Sequence, residues 1–418
     1  MRAAIRSGVG FIRSERVAAV LLLVAAGLGL LAANSPLGPA LIALQDAHLA
    51  VPGTPLDLSV GHWISDGLLA VFFFVVAVEL RHELTSGQLN SVSKAVRPAI
   101  AALGGVLVPA GIYLVLTAGS GYEGGWPVPT ATDIAFALGV LAVFGRGLPS
   151  RLRIFILALA ILDDIVAIVI IAVFFTVDPN LSLLAAAAVG VVAFGLLSVL
   201  FGRLTGARAR TAGGANRLPS ILVALAMALV ALVTWSLVYL SGVHATIAGV
   251  ALGLAMAGAP AMRLRHHLEP VTNGGILPLF AFSAALVVIP AVSPAQLAPA
   301  FWGILIALPV GKLVGITLGG LLSRLVPARR PAGPGAPRPE PQLELRALVA
   351  AGALGGVGFT VSLLMNELAF ASTPEVADEG TLAVLLGSSI SIVLAAVLVS
   401  RLAARHRREA AVSPPRRG

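Results

Sequence analysis

Four ionisable side chains stand inside stretches that are otherwise apolar. Asp163 and Asp164 are neighbours in the segment AILDDIV, Asp133 follows Thr132, and Lys312 lies in a further apolar run. An ionised group at bilayer depth costs at least about 2.5–3.5 kcal/mol on insertion scales, so it is expected to face a cavity or a partner. A carboxylate in such a place can hold a proton or a hard cation, because oxygen ligands suit these ions.

The positions of these charges along their helices predict that they meet near one plane. Asp163 and Lys312 each lie ten residues from a marker of the membrane surface, Arg153 and Trp302 respectively, and hence roughly 15 Å deep. Asp133 lies on the order of 10 Å deep by the same count. A buried pair that only fixes helix packing would need one acid and one lysine. Three acids and a lysine at matched depth favour an ion site.

The adjacency of Asp163 and Asp164 separates their expected roles. Neighbouring positions on a helix point about 100° apart, so the two carboxylates cannot share one face. One carboxylate is therefore expected to face a cavity, while the other meets a partner such as Lys312.

Two of the apolar segments carry residues that interrupt helices. Pro127 and Pro129 precede Asp133, and proline removes helix hydrogen bonds. A later segment contains the glycines of residues 352–358, followed by Phe359-Thr360-Val361-Ser362. Interrupted helices in corresponding positions of opposed three-helix units indicate the binding site of an inverted-repeat transporter.

The composition predicts an all-α membrane protein around these residues. The chain is 58% hydrophobic and 11% charged, against about 25% charged residues in a soluble domain. Cysteine is absent, which excludes disulfides and thiolate metal sites. Spanning the hydrocarbon takes about 20 apolar residues, and twelve runs are suitable: 17–34, 60–80, 97–117, 127–145, 154–175, 182–201, 219–238, 243–258, 275–290, 302–323, 347–368 and 381–400.

The basic residues predict the orientation of these spans. Every second loop (35–59, 118–126, 176–181, 239–242, 291–301 and 369–380) lacks lysine and arginine, whereas the loops on the opposite side are basic. Basic loops stay in the cytoplasm, so both termini are expected inside the cell. The formal net charge of +9 is thereby explained without nucleic acid. The expected organisation is a cytoplasmic N-terminus (1–16), one membrane domain (17–402) with cytoplasmic loops at 202–218 and 324–346, and a disordered basic tail (403–418).

Several motifs resemble the NhaA family of bacterial sodium/proton antiporters. They are ATDIAFALGVL (131–141), ALAILDD (158–164), GVHAT (242–246), LPLFAF (277–282) and GVGFT (356–360). The resemblance covers about residues 17–402. It implies an electrogenic, pH-regulated Na⁺(Li⁺)/H⁺ antiporter of the bacterial inner membrane that works by alternating access, with no resident cofactor and no enzymatic activity. It also implies inverted repeats of spans 3–5 and 10–12, with spans 4 and 11 interrupted, and a homodimer with contacts in loop 35–59.

The same resemblance implies a role for each candidate residue. Asp164 would be the principal ligand of the cation and the proton, and Asp163 would bind protons and pair with Lys312. Thr132 would support the bound Na⁺, and Asp133 would balance charge where the interrupted helices cross. The other positions that match are Gly358 and Thr360 at that crossing, Glu79, Arg81, Glu83, His244 and Glu269 for the response to pH, and Asp66 as a further acid.

Two alternatives are weighed against antiport. A sodium/organic-anion symporter of related fold would need a large polar cavity, which a dense acidic centre does not favour. An intramembrane aspartyl protease needs two carboxylates that share a proton around a water, normally supplied by two helices, and no Gly-x-Gly-Asp context occurs. Peptide cleavage assays would separate the protease from a transporter.

Overall fold

The protein, described here by a computed structural model, is built almost entirely from helices. The structure describes residues 15–87, 89–176, 178–210, 218–326 and 343–412. Its elements in chain order are α1 (Glu15–Ala33), α2 (Gly38–Asp46), β1 (His48–Ala50), β2 (Asp57–Ser59), α3 (Val60–His62), α4 (Leu69–Thr85), α5 (Val92–Thr117), α6 (Ile134–Phe144), α7 (Ser150–Phe174), α8 (Leu181–Arg210), α9 (Leu218–Leu240), α10 (Thr246–Ala255), α11 (Gly258–Val271), α12 (Leu277–Ala284), α13 (Pro299–Ile306), α14 (Lys312–Leu322), α15 (Leu345–Gly355), α16 (Phe359–Ala369) and α17 (Pro374–Val412).

Shorter helical turns join or interrupt these elements. π-Helical turns cover Trp63–Leu68, Thr272–Ile276 and Ala307–Gly311, and 3₁₀ turns cover Glu123–Gly125, Val128–Thr130, Pro294–Gln296 and Ser323–Leu325. The two strands form an antiparallel hairpin in which Leu49 pairs with Leu58. The hairpin lies in the predicted outer loop 35–59. Apart from this hairpin, the described residues agree with the predicted all-α class.

The number of membrane-capable helices is lower than the twelve predicted spans. Nine helices among the described residues are long and apolar enough to cross a membrane, and α15 and α16 would form a tenth if counted together. The predicted eighth span, 243–258, contains only the ten-residue α10. The count of twelve is therefore not confirmed.

The predicted ninth span, 275–290, also differs from the structure. Its helix α12 ends at Ala284, and the following residues are not helical. β-Branched residues and a following proline both favour extended backbone, and Val287, Val288 and Ile289 precede Pro290. Asn34 stabilises this segment, since its side chain donates to Val287 O at 2.9 Å and accepts from Ile289 N at 2.9 Å.

Some predicted boundaries change or lie outside the described residues. The tail predicted from residue 403 is wrong in its first part, because α17 continues through Val412. Residues 259–274, predicted as a cytoplasmic loop, contain α11. Residues 1–14, 211–217, 327–342 and 413–418, which include most of the predicted basic segments, lie outside the described residues.

The chain divides into two compact units. The first comprises residues 1–36, 88–167 and 284–418, and the second comprises residues 37–87 and 168–283. Small apolar side chains form the core of the first unit, among them Ala137, Ala350 and Ala351, with Ile156 and Leu159. Small residues let membrane helices approach closely, because dispersion contacts rather than water exclusion drive their association.

Larger side chains form the core of the second unit. Phe74, Phe194 and Met227 belong to one buried cluster. Trp235 belongs to another, and it stacks on Trp63 with ring centroids 5.6 Å apart. Amphipathic aromatic rings of this kind are favoured near the ends of membrane-spanning helices.

Candidate ion-binding site

Two irregular segments of the first unit bind each other through their backbones. One leads into α6, where Ala131 and Asp133 are extended. The other is residues 356–358, between α15 and α16, where the chain bends by 49°. Asp133 N donates to Val357 O at 2.6 Å, and the Thr132 hydroxyl donates to Gly355 O at 2.8 Å. Backbone groups without helical partners must be satisfied inside a membrane, and these bonds satisfy several of them.

Asp133 is buried where two helices begin. Its Oδ1 accepts from Phe136 N at 3.2 Å at the start of α6. Its Oδ2 accepts from the Thr360 hydroxyl at 2.6 Å and from Thr360 N at 3.3 Å at the start of α16. Helix N-termini carry partial positive charge. One carboxylate therefore faces the positive ends of both α6 and α16.

Lys312 and Asp163 form a fully buried ion pair. The Lys312 ammonium lies 2.9 Å from Oδ1 and 2.8 Å from Oδ2 of Asp163. The side-chain exposures are 0% for Lys312 and 3% for Asp163. Thr132 lies close enough to Asp163 to interact electrostatically with it. A pair so far from water is stable only when good geometry and further hydrogen bonds replace the lost hydration.

Asp164 lies beside this pair and is almost as buried, with 9% exposure. It is close enough to Lys312 to interact electrostatically with it. The structure thus brings together Thr132, Asp163, Asp164 and Lys312, which the sequence predicts as site residues. Carboxylate and hydroxyl oxygens so arranged can hold a proton or a small hard cation.

Gly358 and Thr360, predicted to support the helix crossing, lie on either side of the first residue of α16. Gly358 precedes the first residue of the helix, and Thr360 supplies the two hydrogen bonds to Asp133. The Ser362 hydroxyl of α16 donates to Val128 O at 2.7 Å and so joins α16 to the 3₁₀ turn that precedes Asp133. Ser362 is not among the predicted site residues.

In the second unit, Asp66 and His244 form a buried pair. His244 Nδ1 lies 2.9 Å from Asp66 Oδ1, and both side chains are at most 10% exposed. Trp235 Nε1 donates to the backbone oxygen of Asp66 at 3.0 Å. His244 therefore has a specific acidic partner. The sequence names both residues but does not predict that they pair.

The predicted pH-response residues near the end of α4 form a separate group. Glu79 pairs with Arg265 at 2.9 Å, and Glu83 and Glu269 are close enough to interact electrostatically with Glu79. Arg265 was missed as a partner, because on sequence alone it reads as one of many basic residues that set orientation.

Arg81 has a different environment from its acidic neighbours. Its guanidinium donates to Leu254 O at 2.7 Å and to Met256 O at 2.6 Å. These carbonyls lie at the C-terminal end of α10, in its last turn and at the residue that follows it, where helices leave backbone oxygens without partners. Arg81 thus caps a helix.

Many apolar helices and a buried cluster of ionisable side chains are typical of ion-translocating membrane proteins. Comparison with known proteins narrows that class. The family described as Na⁺/H⁺ antiporter 1 matches residues 10–399. The chain is 60% identical over 402 residues to Na(+)/H(+) antiporter NhaA 2 of Clavibacter michiganensis subsp. michiganensis, covering 96% of this chain and 94% of that protein.

More distant relatives agree over nearly the whole length. The identity is 45% over 396 residues to Na(+)/H(+) antiporter NhaA of Tropheryma whipplei (94% of this chain, 95% of that protein). It is 41% over 424 residues to Na(+)/H(+) antiporter NhaA of Thermobifida fusca (99% and 98%). The chain belongs to the NhaA family of Na⁺/H⁺ antiporters, as its motifs predict, and is a multi-pass membrane transporter.

Proposed function

We propose that protons and Na⁺ or Li⁺ compete for Asp164 and Asp163, and that the protein carries them in opposite directions by alternating access. The observation that carries this proposal is the buried Lys312–Asp163 pair, with Asp164 beside it. An ammonium can occupy the place of a cation beside a carboxylate and be displaced when that cation binds. Thr132, which lies close to Asp163, would add a hydroxyl oxygen to the ligands offered to Na⁺.

Competition explains why transport of the two ions is coupled. A charged site without a bound ion is costly to move through a low-dielectric barrier, so only loaded states cross. Inward protons then drive sodium outward. Two carboxylates and a lysine can change protonation, and we propose that more protons than sodium ions move per cycle. Exchange would therefore be electrogenic, and it would serve sodium and pH homeostasis.

In this proposal, the two irregular segments are held together by Asp133, Gly358 and Thr360. Asp133 accepts hydrogen bonds from the first turns of α6 and α16. Its charge balances the positive helix ends, so a transported cation does not face them uncompensated. We further propose that α5–α7 and the helices from α13 to α17 represent the inverted repeats predicted as spans 3–5 and 10–12.

The acidic groups of the second unit are proposed to set the response to pH. They are the Asp66–His244 pair and the Glu79–Arg265 pair with Glu83 and Glu269. The close contact of the buried His244 with a buried acid supports a part for this pair in the response. Arg81 would contribute by capping α10.

The site of action is proposed to be the bacterial inner membrane, with both termini in the cytoplasm. The lysine- and arginine-free loops would then face outward. The hairpin of β1 and β2 would belong to the interface of a homodimer, since it lies in the loop for which family resemblance implies contacts between two copies.

The Asp164→Asn variant in everted membrane vesicles tests this function. We expect the variant to lose the pH change that Na⁺ or Li⁺ drives in the wild type, because an amide cannot exchange a proton for a cation. Asp178→Asn is the matched control, since Asp178 is an exposed acid, and it should behave as the wild type. Sodium-driven pH change retained by Asp164→Asn would refute the assignment.

A further inference from the structure

Helix α17 presents a buried hydroxyl to the irregular segment between α15 and α16. Ser388 is 1% exposed, and its Oγ accepts a hydrogen bond from Phe359 N at 3.2 Å. Phe359 is the first residue of α16, so its N–H has no partner within the helix. Ser388 supplies that partner from a different helix.

Phe359 needs this support because its backbone is unusual. Its φ is +22°, and positive φ is uncommon for a bulky residue and costs free energy unless the surroundings hold it. The ring is also fixed, since it meets the ring of Phe136 edge to face with centroids 4.7 Å apart. α17 therefore holds the backbone of Phe359, and α6 holds its ring.

The residue after Phe359 connects this arrangement to the ion site. Thr360 gives both its N–H and its hydroxyl to Asp133. Asp133 N in turn binds Val357 O, and the adjacent Thr132, whose hydroxyl donates to Gly355 O, lies close enough to Asp163 to interact electrostatically with it. A continuous set of contacts thus leads from Ser388 to the carboxylate that pairs with Lys312.

We propose that Ser388 is a positioning residue for ion binding, which fixes the Phe359 peptide and thereby keeps Thr360 on Asp133. The inference rests on the proposed function. It assigns Ser388 no contact with the transported ion. Its effect on the ion is transmitted through the backbone between α15 and α16.

Ser391, on the same face of α17 as Ser388, shows how closely α17 packs against the irregular segment between α15 and α16. A Cβ added to Gly356 would lie 2.7 Å from Ser391 Oγ, so α17 packs directly on the irregular segment. Ser391 makes no hydrogen bond within the described part of the chain, whereas Ser388 does. The bond to Phe359 N–H therefore distinguishes positioning from simple close packing.

The test compares Ser388→Ala with Ser389→Ala in reconstituted vesicles. Ser389 is an exposed matched control, because its hydroxyl donates only to Leu385 O within α17. A lost hydrogen bond is expected to raise the Na⁺ concentration for half-maximal exchange about three- to tenfold. The maximal rate should stay close to wild type, and Ser389→Ala should change neither value. An equal Na⁺ dependence of the two variants would overturn the proposal.

A double-mutant cycle with Thr360→Val separates positioning from a general loss of folding. If Ser388 acts through Thr360, Ser388→Ala should add little to the Na⁺ dependence of Thr360→Val, because coupled residues are not additive. Full additivity, or a fall in thermal stability with unchanged Na⁺ dependence, would overturn the proposal. Failure of the proposed function is distinguishable, since the wild type itself would then show no sodium-driven exchange.

Discussion

Lys312 is a cation without solvent exposure, and its partner Asp163 is 3% exposed. Removing one member of such a pair leaves the other charge buried and uncompensated, which typically costs 3–5 kcal/mol. This cost arises in a variant that keeps only one of the two charges, so Lys312 and Asp163 each depend on the charge of the other as well as forming part of the candidate site. Any step that separates the two groups must replace the ammonium with a proton or a metal cation.

Lys312→Met tests the cost of leaving the buried Asp163 charge without its partner, with Lys94→Met as the matched control. These are the two lysines of the chain, and Lys94 is exposed, with a hydrogen bond only to Asn90. We expect Lys312→Met to lower the unfolding free energy by about 3 kcal/mol and Lys94→Met by less than about 0.5 kcal/mol. Thermal unfolding in detergent measures both.

The loss of unfolding free energy in Lys312→Met should depend on pH in a defined direction. The orphaned Asp163 carboxyl avoids its charge only by taking up a proton, so the stability of Lys312→Met should fall as pH rises relative to the wild type. Adding Asp163→Asn should remove that dependence and restore part of the stability. Equal midpoints for the two lysine variants across pH would contradict this account.

The sequence predicts which residues form the site better than it predicts their partners. Counting residues from the predicted membrane surfaces places Asp163 and Lys312 at the same depth. This predicts that one of the two neighbouring aspartates pairs with Lys312. Which aspartate pairs depends on the rotation of α7 about its axis, and resemblance alone indicated Asp163. Ser388 gave a weaker signal, because serine is common in membrane helices and only the contact with Phe359 gives it significance.

At the scale of helices, a π-helical turn directly precedes Lys312. Residues 307–311 form this turn and include Pro309, which lacks a backbone donor. A second such turn, 63–68, contains Asp66. π-Turns are rare and occur often at functional sites. Neither was predicted, since the extra residue in the turn is stabilised by tertiary packing and leaves little trace in local apolar periodicity.

Helix α14, which carries Lys312, crosses α5 at a very short distance. A Cβ added to Gly315 would lie 2.1 Å from Gly104 O of α5, so only hydrogen fits between the two backbones. Gly315 is three residues after Lys312 on α14. The crossing therefore fixes how far the lysine reaches toward Asp163.

Gly315→Ala should push α14 away from α5. We expect a destabilisation of about 1–3 kcal/mol from overpacking and a lower rate of sodium-driven exchange, measured by thermal unfolding and in vesicles. Gly111→Ala on α5 is the control, because nothing lies within 4 Å of its added Cβ and alanine is the better helix former by up to about 1 kcal/mol. Equal stability and activity of Gly315→Ala and Gly111→Ala would show that the crossing of α14 and α5 tolerates a side chain at residue 315.

At the scale of the molecule, composition and charge pattern predicted the class, and the structure and the relatives agree with it. The prediction of twelve spans was less successful, because hydropathy does not register where a helix stops inside an apolar run. Residues 285–290 are as apolar as a span, yet they are not helical. Extended backbone there is stabilised by Asn34, which is distant in sequence.

Orientation is a property of the whole chain, since it follows from the distribution of its 28 lysine and arginine residues over all loops. The chain contains no cysteine, so one introduced cysteine can be labelled without background. We expect a membrane-impermeant maleimide to label Ala291→Cys in intact cells and Arg408→Cys only in everted vesicles, because both positions are exposed and predicted on opposite sides. Each variant should still show sodium-driven exchange, which confirms insertion. Labelling of Arg408→Cys in intact cells would show that the topology is the opposite of the predicted one. The basic face would then lie outside the cell, and protons that move inward could not be released there.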